Sequence, residues 1–156
     1  MAKSQKPRKK YRRPTSGTNP LLVLENLSPL SLRDQMKFSI LAHETHTRLV
    51  TGPGTMDDAM LVGGTLNVSE LMATKYMVGY DWLAEILAAQ QALGAMMARG
   101  EEAGVYAYTK AEKEAVDLAL EIHDAQLEDK RITPARIDAI VADLERMNCL
   151  DQYLKT

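Results

Sequence analysis

The sequence predicts an all-α fold: a single five-helix, bundle-like domain over residues 20–156, behind a disordered basic tail at residues 1–19. Three observations carry that prediction. Apolar residues recur at helical spacing in five successive segments. Cap residues and Gly/Pro stop signals bracket those segments. No stretch alternates apolar and polar residues convincingly enough to read as a strand.

The tail (MAKSQKPRKKYRRPTSGTN) holds only Met1, Ala2 and Tyr11 as apolar residues, with Pro7, Pro14 and a Thr-Ser-Gly-Thr run. It cannot bury enough apolar area to offset the entropy of ordering. Leu21-Leu22-Val23-Leu24 is the first apolar run, and Pro20 and Pro29 around it predict an extended packing segment. Ser31, with Asp34 three residues on, opens the first helix, which runs to about Val50. Met36, Ile40, His43, Thr47 and Val50 form its stripe, broadened by Phe38, Leu41 and Leu49. Gly52-Pro53-Gly54 ends it.

Thr55 caps the second helix, whose first turn carries Asp57 and Asp58 where the helix dipole favours acids. It is expected to run to about Val78. Gly63-Gly64 lies inside it, so the helix either kinks there or admits a close neighbour, at about 1 kcal/mol per Gly. Gly79 separates it from a third helix, Tyr80 to about Arg99, with a one-sided stripe of Trp82, Leu83, Ile86, Ala89, Leu93, Met96 and Met97. Gly100 is read as its end. Thr109-Lys110-Ala111-Glu112 is a capping-box pattern. The helix it opens, to about Asp129, has two apolar faces: Ala111, Ala115, Leu118 and Ile122, and Val116, Leu120 and Leu127. A helix wet on so little of its circumference belongs at the centre. Thr133 and Pro134 start the last helix, with Ile137, Ile140, Val141, Leu144 and Met147 as its core stripe.

Composition narrows the function classes. The 46% hydrophobic and 26% charged fractions are those of an ordinary globular protein. A single cysteine, Cys149, leaves no internal disulfide framework and no thiolate zinc site. The longest apolar candidate for a membrane span, around Leu83–Met97, is broken by Glu85, Gln90 and Gln91. The basic start lacks the apolar core of a secretory signal, so a cytoplasmic protein with no membrane partner is expected. Nine methionines beside one Phe and one Trp make an adaptable apolar set. They suit helix–helix contacts first and a plastic binding surface second.

No catalytic constellation is visible, and no cofactor is implied. His43-Glu44-Thr45-His46 approaches the zinc-protease H-E-x-x-H, but its second His falls at i+3 instead of i+4. A metal-dependent enzyme using His43, Glu44 and His46 is the third-ranked reading, against a partly buried His43 and a surface His46. His123, between Glu121 and Asp124, reads as a hydrogen-bonded interface histidine ahead of a general base. Gly52-Pro53-Gly54 lacks the Gly-Lys-Ser/Thr of a phosphate loop.

The net charge of -2 conceals a division. Residues 1–13 carry seven cations (Lys3, Lys6, Arg8, Lys9, Lys10, Arg12 and Arg13) and no acid. The twelve Lys/Arg that remain face all twenty-one Asp/Glu, so the tail is +7 and the rest -9. Five cations and Tyr11 within residues 8–13 suit a phosphate backbone, whose neutralisation releases counterions. Seven such contacts on duplex DNA give a log–log salt slope of about -6. Tyr11 adds a stacking ring for an unpaired base, worth about 1–3 kcal/mol. Nothing there reads base edges, so binding to DNA or RNA without sequence specificity is expected. A solubilising tail folded onto the acidic body, or one binding another anionic partner, competes with that reading.

The basic opening KPRKKYRRP (6–14), GTMDDAMLVGGTLNVSELM (54–72) and ALEIHDAQLE (119–128) resemble a family of small, uncharacterised helical proteins of proteobacterial phages and mobile elements. The resemblance implies a small non-enzymatic accessory protein and supplies no catalytic residues. The leading expectation is nucleic-acid contact through the tail, with the helical body used for oligomerisation or partner docking. The alternative is an interaction module that inhibits or adapts a host factor through acidic, Met-bearing helices.

Overall fold

A computed structural model describes residues 20–52 and 54–154. Among these residues six α-helices are present: α1 (Pro20–Leu27), α2 (Leu32–Thr51), α3 (Met56–Tyr76), α4 (Leu83–Ala103), α5 (Lys110–Glu128) and α6 (Pro134–Leu154). A single 3-10 turn, Tyr80–Trp82, leads into α4. Among the described residues there is no strand. The all-α bundle stands, with one helix more than expected.

The added helix is α1. Its sequence was expected to be extended because prolines flank it, but Pro20 occupies the first helical position, where its missing N–H leaves no bond unmade. Pro29 acts only on the residues just before it, and the helix has already stopped at Leu27. Ser28 Oγ donates to Leu24 O at 2.7 Å there. Leu30 then anchors the chain to the body, its N–H donating to Ile132 O at 3.2 Å.

Local cap chemistry sets the other boundaries. Ser31 Oγ accepts from Asp34 N at the start of α2, and Gly52, at φ 67°, closes it through a bond to Arg48 O. Thr55 with Asp58, and Thr109 with Glu112, form reciprocal capping boxes at α3 and α5. Helix α3 runs unbroken through the glycine pair. A Cβ on Gly63 would stand 3.4 Å from Leu93 Cδ2, while one on Gly64 would meet nothing within 4 Å. Helix α4 passes through Gly100, the expected end, and stops at Gly104, at φ 71°. Gly100 serves a different need: the Tyr106 ring lies on its bare backbone, and a Cβ would come within 2.2 Å of Cδ1.

Helix α5 is central, as expected, and lies against α2, α3 and α4. Val116, Leu120 and Leu127 are its core face, whereas Leu118, assigned to the second face, is exposed. The main core joins Leu49 of α2, Val62 and Leu66 of α3, Leu93 and Met96 of α4 and Leu120 of α5. A second cluster, with Met72, Val78, Ile132 and Ile140, ties α6 to the end of α3.

Two stripes differ from expectation. On α2 the inward residues are Ala42, Thr45, His46 and Leu49, and Met36, Ile40 and Val50 face outward. On α6, Ile137 and Ile140 are buried, but Val141 and Met147 are exposed. Satisfied polar groups explain the rotation of α2: Thr45 donates to Leu41 O within the helix and His46 bonds Asp117 of α5, so both are buried cheaply.

Candidate functional site

Helices α2 and α5 meet along a seam of histidines and aspartates. His43 Nε2 is 2.8 Å from Asp124 Oδ2, and His46 Nε2 is 2.7 Å from Asp117 Oδ1. The i, i+3 pair on α2 thus addresses two carboxylates on different turns of α5 and does not converge on one point. His43 is partly buried, as expected, but His46, expected at the surface, is only 5% exposed. His46 is further enclosed by Tyr108, whose ring is tilted against it and whose hydroxyl is 3.3 Å from Nδ1. Burial lowers the pKa of His46, and the bond to Asp117 opposes that shift. Glu44 is exposed. Among the described residues, no group of three or more His, Cys, Asp or Glu is placed to hold a metal ion.

His123 is the interface histidine that the sequence suggested. It is 4% exposed on α5, and Nδ1 is 2.9 Å from Ser69 Oγ on α3. Burial drives its pKa down from 6.5 to about 4, against a small upward push from Asp124, so the imidazole is neutral. Ser69 is wholly buried, which gives the Ser–His pair a positioning role and no access as a nucleophile. Beside it, Gln126 Nε2 donates to Ser69 O at 3.0 Å and Val78 O at 2.8 Å, crosslinking α5 to both ends of the α3 exit. Gly79, at φ 76°, is needed there, because a Cβ would stand 2.9 Å from Gln126 Nε2.

Beside His123 lies an apolar cavity of about 380 Å³ between α2, α3, α5 and α6. Its walls are Phe38, Leu41 and Thr45 of α2, Gly64 and Val68 of α3, and Ile137 and Leu144 of α6. Leu41, Met60, Leu61 and Val141 stand at its rim and are exposed. The cavity exists because α6 packs on α3 and α1, with Lys75 paired to Asp143, and leaves a gap toward α2. Sequence reasoning missed it. The signal was present in the small residues at inward positions, but their facing one another depends on which helices meet.

The nucleic-acid residues assigned from sequence (Lys3, Lys6, Arg8, Lys9, Lys10, Tyr11, Arg12 and Arg13) lie outside the described residues, as does Pro53. In the body, several cations pair with neighbouring acids. Arg48 donates to Asp58 at 2.8 Å, Arg99 to Glu112 at 2.7 Å, Lys113 to Asp117 at 2.5 Å and Arg131 to Asp129 at 2.8 Å. Among the described residues, no helix is long and apolar enough to cross a membrane. No family model, curated protein or solved structure matches the chain.

Proposed function

We propose that the chain is a non-enzymatic accessory protein, of the phage or mobile-element type its sequence resembles, that contacts nucleic acid through residues 3–13. The helical body serves for oligomerisation or partner docking. The observation that carries this reading is the division of charge, +7 in the first thirteen residues against -9 in the rest. The pairing of Arg48, Arg99 and Arg131 supports it, since an arginine already bonded to a carboxylate is a poor phosphate contact.

The test is a mobility-shift series at rising salt, using the full chain and a full-length variant with all seven tail cations changed to Gln. The full chain is expected to bind duplex DNA or RNA without sequence preference, with a log–log slope of about -6 on duplex DNA. Equal binding by the variant sinks the tail's role. A second reading, an interaction module acting on a host protein, is favoured by the exposed Met36 and Ile40 of α2 and Met60 and Leu61 of α3. Met60→Lys separates the two, because it blocks docking on this face and leaves nucleic-acid binding unchanged.

A further inference from the structure

The cavity contains one hydrogen-bonding group that the fold leaves unused. His123 lines it, and only Nδ1 of its ring is engaged, by Ser69. Among the described residues, the fully enclosed side-chain atoms without a partner are oxygens of Glu85, Asp124 and Gln126. Nε2 is neither bonded nor among them, and His123 lines the cavity with the 4% of its surface that stays exposed.

Ser69 fixes what Nε2 can offer. Its hydroxyl is wholly buried, and the one acceptor bonded to it is His123 Nδ1. Donation from Ser69 O–H to Nδ1 satisfies that hydrogen, whereas the opposite tautomer would strand a buried O–H. The proton of the neutral ring therefore resides on Nε2, which makes it a free donor on a residue that lines an apolar space. Such a donor suits a carbonyl or ester oxygen. A carboxylate is disfavoured, because a neutral imidazole supplies no charge to offset its desolvation.

We propose that this cavity is a binding site for a small, neutral, largely apolar molecule carrying one carbonyl or ester oxygen. The oxygen accepts from His123 Nε2–H, and the hydrocarbon part lies against Phe38, Leu41, Leu61 and Val141. The volume, about 380 Å³, is within the range of small-molecule sites. Gly64 contributes by absence: its bare backbone leaves the α3 wall open. Met60 at the rim is flexible enough to fold over an occupant. The site does not depend on the tail or on any protein partner.

Two probes of nearly equal shape test this on the full chain without nucleic acid: butyrophenone, a ketone, and butylbenzene, its hydrocarbon counterpart. Binding is followed by NMR of the imidazole nitrogens and the rim methyls. Both should bind, the ketone about five- to tenfold more tightly, with the His123 Nε2 resonance moving for the ketone alone. His123→Phe should erase the preference. Gly64→Leu, which fills the open wall in a position where helix propensity improves, should abolish both while the thermal melt is kept or raised. The proposal is overturned if neither probe binds, if wild type shows no preference, or if Gly64→Leu leaves binding intact. It is also overturned if the chain forms a dimer whose assembly excludes both probes, because the groove is then an interface.

Discussion

Acid should weaken this fold well before its carboxylates are protonated, and His123 is the reason. In the unfolded chain its imidazole titrates near 6.5; in the fold, burial lowers that to about 4. Between those values the unfolded chain binds the proton and the folded chain does not. The histidine therefore leaves stability intact above pH 6.5, and stability falls as the pH drops toward 4. At about 1.4 kcal/mol for each tenfold change in proton affinity, the loss is about 2 kcal/mol at pH 5 and about 3 kcal/mol near pH 4. His43 on α2 and Asp124 on α5 act on the ring in opposite senses, and burial outweighs both.

Other groups leave this window nearly clear. The Arg99 guanidinium holds Glu112 at about 2, and Arg131 holds Asp129 at about 2, so their stabilising share fades only as the pH falls from the ordinary carboxylate values toward 2. His46 adds a loss of the same sign. Urea unfolding followed by far-ultraviolet circular dichroism at pH 7.5, 6.5, 5.5 and 5.0 measures the effect as a shift in midpoint at constant slope. His123→Gln, which cannot titrate, should retain only the part due to His46. A wild-type midpoint that is flat from pH 7.5 to 5.0, or a variant that falls as steeply, would refute the reasoning.

Three further outcomes are expected from thermal or urea melts. Gly64→Ala should stabilise by about 1 kcal/mol, since its Cβ enters open space in mid-helix; Gly100→Ala should destabilise by about 1–3 kcal/mol, since the Tyr106 ring must move. Thr55→Ala and Thr109→Ala should each lose about 1 kcal/mol, the first more, because Asp58 also holds Arg48. Glu112→Gln should be less stable than wild type at pH 7, and the gap should close as the pH falls from 4.5 toward 2, where the wild-type carboxyl also becomes neutral.

Helix ends were legible in the sequence because their chemistry is local. Ser31, Thr55 and Thr109 bond to N–H groups three residues away, and Gly52 needs only its own φ. The failures arise where distant residues decide. Gly100 has the composition of a stop, yet Tyr106 uses it as a packing surface. His46 looks like a surface residue until Asp117 and Tyr108, more than sixty positions on, enclose it. Ser69 carries no signal at all until His123 is set beside it by the α3–α5 contact.

The misread face of α2 and the cavity have one physical origin. Turning α2 so that Thr45 and His46 reach inward satisfies their polar atoms, Thr45 on Leu41 O and His46 on Asp117. It also puts Ala42 and Thr45 opposite Gly64 and Thr65, four small residues where a filled core would hold Leu or Ile. The bulky Met36 and Ile40 are left outside. The empty volume therefore follows from side-chain size together with the gap that α6 leaves toward α2. Enlarging one of those four residues should close it without moving a helix, which makes Gly64, with no backbone or side chain near its missing Cβ, the position from which the cavity is best controlled.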